Sequence, residues 1–336
     1  MSKKYIINRI EAIIVNKKIS LRRMIVFSCI LAGMFSQVEA IASSHEGDIY
    51  ESKVLVFKST NRGGAKKPLV ALVATPMNAR GPLPVIITHH GSSRDGMTFL
   101  DGAGRTDEYS TRLIEQGTKR GFVVVAPDVF YETDIKPNEK NRFPNSYRYI
   151  LDLKKKLAGD ESLDKNNFFF TGFSFGAGQV GKAVDARFDY QTVPWRAVAA
   201  AEPGCNVISQ PADVKFPMLL IKGDESHYYV EPCQYFKRLL LSAGIDVTLT
   251  IIRGANHFFS SNGVIRKGRG IAANGCRFNP VIRMPNGTLR FANGSKASRK
   301  IVHRKCLRKQ AGSGKDRKHL DEVIEMVLDY FEEFKK

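Results

Sequence analysis

Gly172-Phe173-Ser174-Phe175-Gly176 has the spacing that presents a serine hydroxyl at the apex of a sharp turn. The apolar run 167–171 precedes it, and the small residues 177–181 follow it. Together these read as strand, tight turn and helix start. At such an apex the serine accepts a strained backbone, and the two glycines remove side chains that would collide with the strand and the helix. The hydroxyl is then exposed beside the positive end of a helix. A serine hydroxyl is a weak nucleophile at neutral pH and needs a base to accept its proton.

His257, in Arg253-Gly254-Ala255-Asn256-His257-Phe258-Phe259, is the expected base, because an imidazole can take that proton and return it to a leaving group. A carboxylate should orient it and stabilise its charged form. Asp224 is the preferred acid, with its neighbour Glu225 as the alternative; both follow the apolar run 218–221. Glu202, after the preceding strand, is a more remote choice. The order serine, acid, histidine along the chain is one on which such triads are built. A tetrahedral intermediate also needs backbone N–H groups aimed at its oxyanion. Phe175 should supply one and Ser92, in His89-His90-Gly91-Ser92-Ser93, the other. His89 and His90 are adjacent on a strand and point apart, so they do not read as a metal pair.

These residues must be held by a scaffold, and the chain provides alternating elements. Strand-like runs occur at 50–58, 69–75, 85–88, 122–126, 168–170, 197–201, 218–221 and 247–252. Helical spacing occurs at 108–119, 147–157, 232–242 and 320–334. This alternation predicts an α/β fold: a mainly parallel twisted sheet with helices on both faces. The first two strands have no helix between them and should form an antiparallel hairpin. Ligands in such sheets sit at the carboxyl ends of the strands, which is where every residue singled out above falls. Segment 260–318, rich in Gly, Asn and Arg, reads as an insertion before the last helix, without a core of its own.

The chain has 336 residues, of which 43% are apolar, enough for one large domain or two small ones. Basic residues at 17, 18, 22 and 23 precede an apolar run at 24–35, and Ala40-Ile41-Ala42 offers a small-x-small cleavage site. Residues 1–42 therefore read as a signal peptide, and 43–336 as an exported domain, periplasmic or secreted. Export leaves Cys205, Cys233, Cys276 and Cys306, an even number that favours disulfides. Three pairings are open; Cys205 with Cys233 and Cys276 with Cys306 is the one expected. No C-x-x-C pair exists and no metal is expected. The net charge of +19 is uneven, since 262–318 holds Asp316 as its only acid. That stretch suits peripheral contact with anionic surfaces. Nucleic acid is not an expected partner, because no stacking pattern or nucleic-acid motif accompanies the charge.

With elbow, acid loop and histidine in place, the chain resembles the α/β-hydrolase superfamily, and within it the dienelactone hydrolase-related group. The segments that carry the resemblance are His90-Gly91-Ser92, 172–176, 223–233, and Gly244-Ile245-Asp246-Val247 leading to 254–258. The resemblance implies the α/β-hydrolase fold, hydrolysis without a cofactor, and a small-molecule or acyl ester as substrate. Dienelactone hydrolases proper use a cysteine nucleophile, whereas this chain has Ser174, which points to a general carboxylic ester hydrolase. A peptidase or acyl-transferase on the same fold is the alternative, as is a non-catalytic binder of anionic polymers working through the basic insertion. Oligomeric state is left open.

Overall fold

Apolar residues on the central strands alternate in register, so each strand feeds two cores. In a computed structural model, which describes residues 49–60, 64–188, 194–259, 271–272, 274–309 and 317–336, eight strands form one sheet. They are β1 (Tyr50–Thr60), β2 (Lys66–Pro76), β3 (Leu83–His89), β4 (Val123–Asp128), β5 (Leu163–Phe173), β6 (Ala197–Ala201), β8 (Met218–Gly223) and β9 (Val247–Ile252), in the order β1-β2-β4-β3-β5-β6-β8-β9. The remaining strand before β8, β7 (Val207–Ser209), lies outside this sheet. The β1–β2 hairpin and the β2–β4 pair are antiparallel, and all later pairs are parallel.

One face of the sheet carries Val85, Ile87, Val123, Val125, Phe168 and Phe170, packed against helices α2 (Ser146–Leu157), α3 (Phe175–Val180) and α4 (Glu231–Ser242). The intervening residues Ile86, Val124, Phe169, Leu219 and Ile221 meet α1 (Glu108–Lys119) and α6 (Arg317–Phe334) on the other face. Strands buried on both faces must be apolar throughout, which is why β4 and β6 show no alternation in sequence. Phe169 is wholly buried between Phe122 and Phe331, with ring centroids 5.7 and 4.8 Å away. Truncating such a side chain costs about 3–5 kcal/mol.

The topology places the site. From β3 the chain crosses through α1 to β4 on one side, and from β5 it crosses through α3 to β6 on the other. The two loops leave adjacent strand ends toward opposite faces, which opens a crevice at the carboxyl edge of the sheet. Asp107 anchors that edge. It caps α1 by accepting from the Ser110 N–H at 2.9 Å, and its other oxygen accepts from the Gly91 N–H.

The segment after β9 was expected to lack a core, and here the structure differs. Strands β11 (Val281–Arg283), β12 (Leu289–Phe291) and β13 (Lys296–Ala297) form a small sheet with β7, and β11 runs parallel to β7. Val281, Phe291 and Ala297 pack around the Cys276–Cys306 disulfide, under helix α5 (Arg299–Cys306). Strands of two or three residues are too short to register as a period, and a disulfide replaces apolar area in so small a core. Strands β10 (Ile271–Ala272) and β14 (Arg308–Lys309) pair beside it. The insertion is thus stitched to β7, which lies just beyond residue 202. The expected signal peptide falls outside the described residues. Among the described residues no helix is long and apolar enough to cross a membrane.

Candidate active site

Ser174 sits at the end of β5 with φ 52° and ψ −105°, a left-handed backbone that a serine adopts only under constraint. The constraint comes from packing on both sides. A Cβ on Gly176 would lie 2.0 Å from the carbonyl oxygen of His89, and one on Gly172 would lie 2.8 Å from the same oxygen. The Ser174 N–H is held by the Ala201 carbonyl at 3.0 Å. The strand–turn–helix geometry expected from the glycine spacing is therefore present, with β3, β5 and β6 pressed together beneath the serine.

The Ser174 hydroxyl lies 2.8 Å from Nε2 of His257. Nδ1 of His257 lies 2.9 Å from Oε2 of Glu202. The carboxylate acceptor fixes the tautomer: Nδ1 carries the proton and Nε2 offers its lone pair to the serine. Burial is the largest influence on His257 and holds its imidazole below the usual value, offset in part by Glu202. The neutral ring is the form that can accept a proton.

The carboxylate that meets His257 is not the one expected. Asp224 and Glu225 are both exposed, and Asp224 Oδ1 accepts from the Gly254 N–H at 2.8 Å instead of meeting His257. The reason lies in the end of β8. Gly223 is pressed so closely on the histidine loop that a Cβ there would stand 2.1 Å from the Ala255 carbonyl oxygen. At this contact the chain turns outward, carrying 224 and 225 into solvent while Lys222 and Ser226 face inward, both buried. Glu202 takes the place beside the imidazole from the end of β6, also with a positive φ, 58°. Its sequence signal was slight: a lone carboxylate following five apolar residues. A second signal was Lys222, which ends the buried run Met218-Leu219-Leu220-Ile221 and so needs a buried counter-ion.

Glu202 is wholly buried and well satisfied. Oε2 accepts from Lys222 Nζ at 2.7 Å and from the Ser226 hydroxyl at 2.8 Å, and Oε1 accepts from the Gly223 N–H. Burial opposes its ionisation, but the Lys222 ammonium and His257 outweigh it and draw the carboxyl down to about 2.

Aromatic side chains frame the pair. Phe175 packs on Phe130, Phe143 and His89 with centroid distances of 5.6, 4.7 and 5.2 Å. Tyr228 stands 4.7 Å from the His257 ring, and its hydroxyl accepts from Lys140 Nζ at 3.1 Å. Tyr229 is exposed under the Arg277 guanidinium, and Tyr131 packs between the two cores. His227, which sequence reasoning passed over, is buried 4.8 Å from the His257 ring, and burial pushes its imidazole down to about 2.

Of the two expected oxyanion donors, Phe175 opens α3, where first-turn N–H groups have no intrahelical acceptor. Ser92 follows Gly91, whose own N–H is taken by Asp107. His89 and His90 are committed to structural bonds: His89 Nε2 to the Ser146 hydroxyl at 2.8 Å, and His90 Nε2 to the Val129 N–H at 3.1 Å. Both disulfides pair as expected, Cys205–Cys233 and Cys276–Cys306. The first lies three residues beyond Glu202.

No protein-family model matches the chain, and no curated protein matches it by sequence. Solved structures do match by shape. A dienelactone hydrolase-like promiscuous phosphotriesterase from metagenomic libraries aligns over 84% of this chain and 98% of its own, with a TM-score of 0.50 and 12% identity. An alpha/beta hydrolase enzyme from a Medee basin deep-sea metagenome library aligns over 62% of this chain and 84% of its own, with a TM-score of 0.45 and 12% identity. The acylaminoacyl peptidase of Pyrococcus horikoshii aligns over 62% of this chain and 38% of its own, with a TM-score of 0.45 and 15% identity. The sheet order and the first of these matches agree: the chain has the α/β-hydrolase fold.

Proposed function

We propose that this chain is an exported serine hydrolase that cleaves carboxylic esters through an acyl-enzyme. The observation that carries the reading is the unbroken relay Ser174 Oγ, His257 Nε2, His257 Nδ1, Glu202 Oε2, with links of 2.8 and 2.9 Å. Ser174 Oγ attacks the acyl carbon as its proton passes to Nε2 of His257. The oxyanion is held by the N–H groups of Phe175 and Ser92. The bond to the alcohol oxygen breaks, and the leaving alcohol takes the proton from His257. Water then attacks the acyl-serine with His257 again as base, releasing the carboxylic acid and restoring the Ser174 hydroxyl. Glu202, in the role first assigned to Asp224, stabilises the imidazolium that forms in each half-reaction.

Export is supported by the two disulfides together with the apolar run at 24–35. A fluorophosphonate probe should label wild-type protein at Ser174. Ser174→Ala should abolish both labelling and turnover of a short p-nitrophenyl ester. Unchanged turnover in that variant would end the reading. Peptide, thioester and phosphotriester substrates belong in the same assay, because fold and triad do not set substrate class.

A second reading has one observation of its own. Arg299, Lys300, His303 and Arg304 are exposed together on α5, and among the described residues none of them pairs with a carboxylate. It predicts salt-sensitive retention on anionic surfaces that survives Ser174→Ala.

A further inference from the structure

A lysine with no exposure at all is rare, because an ammonium loses its hydration on burial and is tolerated only when paired. Lys222 is such a residue, the penultimate one of strand β8. Its Nζ donates to Glu202 Oε2 at 2.7 Å and to the Ser226 hydroxyl at 2.8 Å, and it lies 5.6 Å from the Tyr228 ring centroid. Ser226 in turn donates to the same Glu202 oxygen at 2.8 Å. Three donors therefore converge on Oε2: Lys222, Ser226 and His257. Tyr228 covers both cation and imidazole. The strand that the sequence pattern expects to supply the acid supplies a cation instead, and the acid comes from the neighbouring strand.

This arrangement has a consequence for the imidazole. A lone buried carboxylate at 2.9 Å would strongly favour the imidazolium and leave His257 protonated in weak acid. A carboxylate already paired with an ammonium presents a nearly neutral group, so its pull on the imidazolium is much weaker. It still accepts the Nδ1 proton and fixes the ring. Among the described residues, the charged and titratable groups that face His257 are Glu202 from the β6 end, Lys222, His227 and Tyr228 from the end of β8 and the loop after it, and Lys140 from the segment before α2. Only Glu202 among them favours the charged ring. His227 stays neutral, since burial pushes it down to about 2.

We propose that Lys222 is a positioning residue: it keeps the Glu202 carboxylate charged and aimed at Nδ1, and by neutralising it sets the pH at which His257 becomes able to accept the serine proton. The inference rests on the hydrolase reading for its catalytic meaning, but its electrostatic content stands without it. Lys222 touches neither substrate nor nucleophile, so its removal acts through Glu202 and His257.

The test is an NMR titration of the His257 ring, assigned through His257→Gln, in wild-type protein and in Lys222→Met and Lys222→Arg. It is run beside the pH dependence of fluorophosphonate labelling at Ser174. Wild-type His257 should titrate below the ordinary imidazole value of about 6.5. Lys222→Met should raise that midpoint by about one pH unit or more, a shift of tenfold in proton affinity. The acid limb of labelling should move with it, while kcat falls by roughly tenfold or more and KM stays within about twofold. Lys222→Arg keeps the charge and should bring the midpoint back toward wild type. Equal midpoints in wild type and Lys222→Met would overturn the proposal and leave the lysine a structural counter-ion. If Lys222→Met does not fold, the same titration is made in Lys222→Gln, an uncharged side chain that can still donate to Glu202 and Ser226, and a midpoint equal to wild type overturns the proposal. Absence of labelling at every pH would instead refute the hydrolase reading and leave the titration result intact.

Discussion

Glu202 and His257 stand 55 residues apart in the chain, yet Oε2 of one lies 2.9 Å from Nδ1 of the other at the carboxyl edge of the sheet. The carboxylate that meets the imidazole thus follows β6, one strand nearer Ser174 than β8, which Asp224 follows. Glu202→Gln should therefore reduce kcat by roughly 10⁴-fold, the effect expected when the carboxylate that fixes a triad histidine becomes an amide. Asp224→Asn and Glu225→Gln should leave turnover of a p-nitrophenyl ester within about twofold, as befits exposed side chains. Equal losses from Glu202→Gln and Asp224→Asn would contradict this assignment.

The elbow admits no side chain at Gly176. A methyl there would meet the His89 carbonyl at 2.0 Å, and that carbonyl belongs to a central strand that cannot retreat. Gly176→Ala should destabilise the fold by about 3 kcal/mol or more, at the upper end of overpacking. Gly178→Ala, two residues on and with open space around its Cα, should be neutral or slightly stabilising through helix propensity. Denaturant unfolding of the two variants makes the comparison.

Acid should unfold this protein in two stages. His89, His227 and His257 are buried, and burial is the largest influence lowering each of them. Below the ordinary imidazole value the unfolded chain binds more protons than the folded one, so this stability is present above about pH 6.5 and is lost as pH falls. The loss is about 1.4 kcal/mol per pH unit for each histidine that stays neutral. Glu202 is held at about 2 against a usual 4.5, so its contribution is present above 4.5 and is lost as pH falls from there toward 2. The urea midpoint should decline steadily from pH 7 to 5 and faster below. A flat midpoint across pH 7 to 5 would show that these rings are not buried neutral.

The two disulfides should have unequal effects on the site. Cys205–Cys233 closes a span of 28 residues and ties the loop after Glu202 to the start of α4. Cys205→Ser with Cys233→Ser should cost about 3–4 kcal/mol and slow Ser174 labelling, because the acid loses its tether. Cys276→Ser with Cys306→Ser should loosen the insertion and leave labelling within about threefold, since that bridge lies in the insertion's own core. Labelling rates and thermal midpoints of the two double variants separate the cases.

The alternating elements, the glycine-flanked turn at Ser174 and the histidine loop are all legible along the chain. Each of these is written in short-range terms: two-residue or helical periodicity, glycines flanking a serine, a polar loop after a buried strand. The pairing of cysteines also came out as expected. Which carboxylate meets His257 is legible only in three dimensions. Asp224, Glu225 and Glu202 all follow apolar strands and look alike in one dimension. Their fates are set by how the chain leaves β8, where Gly223 meets Ala255, and by a buried lysine that needs an anion. The same holds for the insertion, whose short strands acquire a sheet only by pairing with β7. Contacts between segments far apart in the chain carry no local pattern, so the direction of a side chain at a strand end becomes definite only once the neighbouring loops are packed against it.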